Sequence, residues 1–244
     1  MSLLIEGRNL SKSFGGLTAV KAVDFQLVEG EIVGLIGPNG AGKTTLFNLV
    51  SGIFPPDTGS LTFKGSSLLG KKPFEVCRLG IARTFQIVRP FLKMTCLENT
   101  LVGIIGKNER ERSKGEKADE ARDFLKITGL SQHEQKLAKN LTLIEKKRLE
   151  MARALATKPR VILLDEVLAG LNPSEIQQAL ELIEKIRSQF KITIFWIEHV
   201  MGAIMKASDR IIVLDQGEKI REGKPGEVVS DPRVVEAYLG ESDA

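Results

Sequence analysis

The sequence has few cysteines, few aromatic residues and no long hydrophobic run. Its 244 residues include two cysteines, one tryptophan and one tyrosine. Cys77 and Cys96 are too few and too isolated for a disulfide framework or a zinc site, which suits a reducing compartment. The most apolar runs are strand-sized and far below the roughly 20 residues that a membrane-spanning helix needs. The N-terminus has neither the basic start nor the apolar stretch of a secretory signal. We therefore predict a chain that does not itself cross a membrane.

An excess of charge of one sign is also lacking. The chain carries 35 Lys and Arg against 31 Asp and Glu, for a net charge of +4. This balance implies no general affinity for nucleic acid or anionic lipid, so we expect no nucleic-acid partner. Hydrophobic residues make up 42% of the chain, enough for a sizeable core, and the sequence is typical of a globular protein.

The most informative motif is a glycine-rich segment that follows the apolar run 32–36. It reads Gly37-Pro38-Asn39-Gly40-Ala41-Gly42-Lys43-Thr44-Thr45. Its spacing fits G-x-x-x-x-G-K-[ST], in which backbone N–H groups close on phosphate oxygens. We expect these residues to bind a nucleotide, with Lys43 reaching the β- and γ-phosphates and Thr44 offering its hydroxyl to Mg²⁺. The alternative, a strand-to-helix turn that binds nothing, is disfavoured because Lys, Thr and the strand all occupy the required positions.

Strand-sized apolar runs alternate with helical patterns, which predicts an α/β fold with a largely parallel core sheet. The runs are residues 23–28, 32–36, 161–164, 192–197 and 211–214. Residues 4–28 instead hold short alternating segments with glycine turns, typical of an antiparallel β element. From about residue 90 to 158 the strand runs give way to helical spacing. We interpret residues 1–244 as one domain with a helical subdomain inserted at 90–158.

Two carboxylates follow the apolar strand at 161–164. Asp165 and Glu166 are placed at the carboxyl end of a central strand, where open α/β sheets bind ligands. We expect Asp165 to hold Mg²⁺ and Glu166 to orient and deprotonate the attacking water, because phosphoryl transfer depends on positioning and charge neutralisation.

Two further polar residues are candidates for the same site. His199 follows the strand at 192–197 and is able to contact the γ-phosphate or hold the attacking water, although a capping or buried histidine fits equally well. Gln86 is expected to close the last strand before the helical insert, where its amide can touch Mg²⁺ or the water. Taken alone, a single glutamine carries little information.

The glycine-rich loop, Gln86, the helical insert, the acidic pair and His199 occur in that order along the chain. This order resembles the ATP-binding-cassette (ABC) ATPases across essentially the whole chain. The resemblance implies a P-loop NTPase core that binds ATP and Mg²⁺ and hydrolyses ATP. It also implies that two cassettes enclose two ATP molecules and drive a membrane transporter, with permease subunits and a second ABC ATPase as partners. By the same resemblance, Phe14 stacks on adenine.

Four segments resemble more narrowly the ATPases of branched-chain amino acid importers. They are residues 14–20, 81–86, 169–173 and 231–241. This similarity implies import of branched-chain amino acids or related small polar solutes, such as urea and short amides. It also implies an indirect solute-binding-protein partner and a place on the cytoplasmic face of the membrane. The remaining alternatives are the ATPase of a lipid or lipopolysaccharide exporter, a mainly regulatory nucleotide-binding subunit, and a soluble ABC protein of translation or DNA repair.

One segment departs from the family. The signature motif, typically Leu-Ser-Gly-Gly-Gln, is here Leu141-Thr-Leu-Ile-Glu145. Leu143 and Ile144 replace glycines that let a helix N-terminus approach the phosphate bound by the partner. Thr142 keeps the hydroxyl and is the expected nucleotide contact, but Thr142 and Glu145 also fit a capping box, and a carboxylate there opposes phosphate. We therefore expect a different cassette as partner, with a homodimer as the alternative.

Overall fold

The computed structural model describes residues 2–105 and 112–239. Within these residues there are ten strands and nine α-helices. The strands are β1 (Leu3–Phe14), β2 (Leu17–Val28), β3 (Ile32–Ile36), β4 (Thr58–Phe63), β5 (Ser66–Ser67), β6 (Ile81–Arg83), β7 (Val161–Asp165), β8 (Thr193–Ile197), β9 (Arg210–Asp215) and β10 (Glu218–Gly223). The helices are α1 (Lys43–Val50), α2 (Pro73–Leu79), α3 (Cys96–Ile105), α4 (Lys114–Ile127), α5 (Leu143–Ala156), α6 (Pro173–Phe190), α7 (Met201–Ala207), α8 (Pro225–Val229) and α9 (Pro232–Leu239).

Six strands form the central sheet, in the order β10-β9-β3-β8-β7-β6. All neighbours pair in parallel except β9 and β10. Every residue of β3, β7 and β8 is buried, as expected for parallel strands covered on both faces. Adjacent side chains Phe195 and Trp196 belong to the two different core clusters on either side of this sheet. The prediction of an α/β fold with a mainly parallel core is confirmed.

A second, antiparallel sheet has the order β2-β1-β4-β5. Its first two strands form a hairpin whose tip lies between Phe14 and Leu17. Helix α1 is packed between the two sheets, because Phe47 contacts the ring of Phe195 at a centroid distance of 4.9 Å and shares its cluster with Leu10 of β1. The predicted antiparallel β element is therefore present and buries one side of α1.

Helices α3, α4 and α5 occupy the segment between β6 and β7. They pack on one another through buried residues that include Ile104, Leu125 and Leu149. Residues 106–111 of the predicted insert lie outside the described residues. In the part of the chain that the structure describes, no helix combines the length and the apolar character needed to span a bilayer.

One strand ends earlier than the sequence indicated. We expected Gln86 to close the strand that precedes the helical segment, but β6 ends at Arg83. Parallel pairing with β7 covers Ile81 to Arg83, and one further backbone bond joins Thr84 N to Leu163 O at 2.9 Å. Gln86 consequently lies in the connection after the strand, where its side chain can turn toward the end of β7.

The C-terminal helices α8 and α9 cover the end of the sheet formed by β9 and β10. Val228 and Val234 are buried in the core cluster on that side. Asp231 ties the start of α9 to β10 through an ion pair with Arg221, at 3.3 Å. Gly240 and Glu241, the last residues of the terminal motif, lie outside the described residues.

Candidate functional site

The glycine-rich loop connects β3 to α1 and folds tightly at two glycines. Gly37 has φ +148° and Gly42 has φ +98°. A Cβ atom at Gly37 would lie 2.0 Å from the carbonyl oxygen of Leu214, and one at Gly42 would lie 2.2 Å from that of Ala19. Only glycine fits these two positions, on grounds of both conformation and space. The loop is thus held against β9 on one side and β2 on the other.

Lys43 begins α1 and points back into this loop. Its side chain is buried, and Nζ donates to the carbonyl oxygens of Gly37 at 2.6 Å and Pro38 at 2.7 Å. No acidic residue lies in the first turn of α1, where free N–H groups and the helix dipole favour an anion. The loop, the ammonium group and the helix start together form a site suited to phosphate.

Three of the predicted site residues meet at the end of β7. Gln86 Nε2 donates to Glu166 Oε2 at 2.6 Å, and His199 Nε2 lies 2.8 Å from Glu166 Oε1. Glu166 itself has φ +47°, an unfavourable left-handed conformation for a residue with a Cβ. Strain of this kind is concentrated at functional sites. The structure thus holds one carboxylate between an amide and an imidazole, although the roles of all three residues stay predictions.

The three predicted magnesium ligands line one cavity of about 860 Å³. They are Thr44, Gln86 and Asp165, which offer a hydroxyl, an amide and a carboxylate. Oxygen donors of this kind suit Mg²⁺, which uses one or two carboxylates and completes its shell with water and substrate phosphates. The donor set therefore fits the ion that the sequence led us to expect.

Arg83 is a site residue that the sequence did not single out. Its guanidinium group donates to Asp165 Oδ2 at 2.7 Å, and also to Asn48 Oδ1 at 2.7 Å and Ser51 Oγ at 3.0 Å. Both members of the ion pair are almost fully buried. Arg83 thereby joins Asp165 to α1, the helix that begins at Lys43. An arginine at the end of an otherwise apolar strand, three positions before Gln86, was the available signal.

Helix α5 brings further buried charge to the cavity. Glu150 lines it, accepts a hydrogen bond from the Phe85 amide at 3.4 Å, and burial raises its pKa to about 7. Burial also lowers the pKa of Lys147, against the attraction of Glu198 and other carboxylates. The pKa of Glu198 is in turn raised by burial. Sequence patterning missed Lys147 and Glu150 of α5 because charged residues in an amphipathic helix ordinarily face water.

Phe14 lies at the tip of the β1–β2 hairpin and is 43% exposed. Its ring packs edge-on against Phe54, with centroids 5.2 Å apart. The strand that follows the tip passes against the glycine-rich loop, since Ala19 borders Gly42. An exposed aromatic ring on the strand hairpin next to the phosphate loop is consistent with the predicted stacking on adenine, which stays a prediction.

The predicted capping box at the start of α5 is confirmed. Thr142 N donates to Glu145 Oε2 at 2.8 Å, and Glu145 N donates to Thr142 Oγ1 at 3.4 Å. The opposition of the Glu145 carboxylate to a phosphate stays a prediction, and Lys136 and His133 each pair with this carboxylate at 3.0 Å. The Lys136 ammonium group offsets the negative charge. The apolar side chain of Leu143 remains 47% exposed at the helix start.

Comparison with known proteins agrees with this geometry. A family model described as ABC transporter matches residues 20–169, and one described as branched-chain amino acid ATP-binding cassette transporter matches residues 218–244. The high-affinity branched-chain amino acid transport ATP-binding protein LivG of Salmonella typhimurium is 41% identical over 251 aligned positions that cover 98% of each chain.

Solved structures show the same fold. The ADP conformation of an ATP-binding cassette of an ABC transporter superposes with a TM-score of 0.89 at 31% identity, covering 98% of this chain and 100% of that one. A dimeric ATP-binding cassette bound to ADP and phosphate superposes with a TM-score of 0.82 at 26% identity, covering 91% and 99%. Together with the phosphate loop and the carboxylates at the end of β7, these matches show that the chain is an ATP-binding ATPase and belongs to the ABC transporter family.

Proposed function

We propose that this chain hydrolyses ATP to drive import of branched-chain amino acids or related small polar solutes, as a peripheral subunit on the cytoplasmic face of a membrane transporter. The observation that carries the hydrolytic part is the placement of Glu166 between Gln86 and His199, beside the phosphate loop. The solute is inferred from the printed name of the LivG relative and from the family match at residues 218–244.

In the proposed reaction, the phosphate loop and Lys43 bind the triphosphate. In the structure, Lys43 Nζ donates to two loop carbonyl oxygens. When ATP binds, its three N–H donors turn to phosphate oxygens instead. Glu166 accepts a proton from the attacking water. Its two oxygens already accept from Gln86 and His199, but each carboxylate oxygen can accept a further hydrogen bond. Gln86 and His199 therefore orient the base without occupying it fully.

Mg²⁺ is the proposed cofactor, held by Thr44 and Asp165 with Gln86 as a further ligand. When bound, the ion neutralises charge on the β- and γ-phosphates. Arg83 fixes the Asp165 carboxylate from the side of α1, so the aspartate is oriented before the ion arrives. Because the Asp165 carboxylate is already oriented, it does not have to reorganise during the reaction.

The outer part of the 860 Å³ cavity is the proposed contact with the permease. It is lined by exposed apolar side chains, which are Phe74, Phe85, Ile87 and Val102. Arg78, Arg89 and Arg153 line it as well, so the surface is apolar and basic. We infer that a cytoplasmic permease segment with apolar and acidic side chains binds here. Gln86 and Asp165 line the same cavity, so movement of that segment would shift residues of the ATP site.

A second ABC ATPase with an intact signature motif is the proposed dimer partner. At the start of α5 in this chain, the amide of Thr142 and the hydroxyl of Thr142 are both engaged with Glu145. Leu143 adds an exposed apolar side chain where the family has glycine. These features make this helix start a poor phosphate ligand, so the site built on Lys43 gains most from a partner that offers the usual motif.

Reconstitution tests the proposed transport. The tagged chain is purified with its bound subunits from native membranes, the complex is placed in liposomes, and ATP-driven uptake of labelled leucine, urea and acetamide is compared. We expect uptake of leucine or of one of the other two solutes, and its loss in Glu166→Gln. Uptake of none of them, with lipid flipping instead, would identify an exporter.

The proposed permease contact is tested in the same purification. Ile87→Glu should reduce recovery of the membrane subunits while ATP binding persists, because a carboxylate enters an apolar contact. Leu69→Glu is the matched control, since Leu69 is exposed outside the cavity. Equal recovery with both variants would place the permease elsewhere.

A further inference from the structure

The C-terminal helix α9 contacts the phosphate loop through the tyrosine that is unique in the sequence. The hydroxyl of Tyr238 accepts a hydrogen bond from the backbone N–H of Gly37, at 2.8 Å, between residues 201 positions apart. The ring is half-buried and packs against the core cluster beneath the central sheet. Neither the phosphate-binding chemistry nor the proposed transport function uses this contact.

Gly37 is held on three sides. Tyr238 takes its N–H, Lys43 Nζ donates to its carbonyl oxygen at 2.6 Å, and the carbonyl of Leu214 in β9 leaves no room for a Cβ. A backbone N–H that leaves the sheet needs another acceptor, because an unpaired buried donor is costly. In this fold the acceptor comes from α9 and not from the loop.

We propose that α9 supports the nucleotide loop and that Tyr238 is a positioning residue for ATP binding. When ATP binds, Lys43 gives up the carbonyl of Gly37 for phosphate oxygens, so Gly37 loses one of its restraints. The hydroxyl of Tyr238 then keeps Gly37 in its φ +148° conformation. An ion pair between Asp231 and Arg221 links the start of α9 to β10.

This inference rests on ATP binding by the loop and is independent of the transported solute. Tyr238→Phe keeps the ring and removes the hydroxyl that accepts from Gly37. We expect ATP affinity to fall about 3- to 10-fold, the effect of losing one hydrogen bond of about 1 kcal/mol. The kcat should stay within about twofold, because the contacts of Glu166 are untouched. Arg233→Gln is the matched control, since it breaks the Arg233–Asp231 pair at the start of α9 but not the contact with Gly37.

A spectroscopic measurement separates positioning from general stability. Biosynthetic 3-fluorotyrosine places one fluorine in the protein, at Tyr238. In the full chain we expect ATP with EDTA to shift its ¹⁹F resonance, and we expect no shift with Lys43→Ala at the same ATP concentration.

Three results would overturn the proposal. They are an unshifted resonance at saturating ATP, an affinity of Tyr238→Phe within twofold of wild type, and an equal loss of affinity in Arg233→Gln. If Lys43→Ala bound ATP as tightly as the wild type, the assignment of the loop itself would fail, which is a distinguishable outcome.

Discussion

Arg83 and Asp165 form a buried ion pair, with Nη2 and Oδ2 2.7 Å apart. The pair joins the end of the edge strand β6 to the end of the central strand β7. The same guanidinium reaches Asn48 on α1 and Ser51 just after it. A planar fork is needed to reach these separate partners at once, which a lysine cannot do. Arg83 thus sets the orientation of the expected magnesium ligand.

Loss of Arg83 should weaken both folding and turnover. We expect Arg83→Met to lower the free energy of unfolding by about 3–5 kcal/mol, because Asp165 is left as an unpaired buried charge. Arg83→Lys should give an intermediate loss and should need more Mg²⁺ for half-maximal activity. Urea denaturation and a Mg²⁺ titration of ATP hydrolysis measure these two effects.

The control for Arg83 is Arg122→Gln, which removes surface ion pairs with Asp119 and Glu134 and should change stability by less than about 1 kcal/mol. In a double-mutant cycle, the Arg83→Met, Asp165→Asn double variant should lose less unfolding free energy than the sum of the losses of the two single variants. Additive losses would mean that the two residues act separately.

Substitutions of Lys43 and Glu166 should affect ATP binding and turnover differently. Lys43→Ala removes a phosphate contact, so ATP binding and turnover should both fall. Glu166→Gln keeps the shape of the side chain but cannot accept the proton, so turnover should fall about 10²- to 10⁴-fold while ATP binding persists. Steady-state hydrolysis and equilibrium nucleotide binding distinguish the two. Turnover by Glu166→Gln close to that of the wild type would remove Glu166 from the role of base.

Glu150 should make stability depend on pH. Burial raises its pKa from 4.5 to about 7, so the folded state binds this proton more tightly than the unfolded state does. The resulting stabilisation is present below about pH 4.5 and is lost as pH rises through about 7. The wild type should therefore lose up to about 3 kcal/mol relative to Glu150→Gln as pH rises through this range.

Urea midpoints at a series of pH values measure the effect of Glu150. Lys147, Arg153 and Asp165 also act on this carboxyl and are unchanged in the comparison. Glu181→Gln removes the same charge from an exposed position of α6 and should leave the pH profile unaltered. A constant difference between wild type and Glu150→Gln across the series would contradict the prediction.

The variant signature can be converted to the family pattern. Leu143→Gly, Ile144→Gly and Glu145→Gln together should raise ATP hydrolysis by the chain alone at least about tenfold, because backbone N–H groups at the helix start become accessible to phosphate. The two glycines in the first turn of α5 should lower stability by about 1–2 kcal/mol, because glycine loses more backbone freedom on folding than other residues do. ATPase rates against protein concentration measure the gain.

The matched control keeps a Cβ at both positions, as Leu143→Ala, Ile144→Ala and Glu145→Gln. It removes the same charge and most of the apolar surface but should restore less activity, since close backbone approach needs glycine. A wild-type chain that already hydrolyses ATP cooperatively, at the rate of the glycine variant, would show that the natural motif supports a homodimer.

The site was predictable from sequence wherever its chemistry is local. The phosphate loop, the acidic pair at the end of β7 and the Thr142–Glu145 capping box each depend on spacings of a few residues. The meeting of Gln86 and His199 at Glu166 was only suggested, because it follows from strand ends sharing one edge of the sheet. The early end of β6 was missed because pairing with β7, and not the local sequence, decides where that strand stops.

The sequence by itself determined an α/β fold and a nucleotide loop and predicted the residues for hydrolysis, because hydrophobic periodicity and short motifs encode these directly. Only the tertiary structure decided which residues far apart in the sequence contact one another at the site. Arg83 meets Asp165 across 82 positions, and Tyr238 reaches Gly37 across 201. Contacts at such separations depend on strand order and helix packing, and these arise when the whole chain buries its apolar surface together.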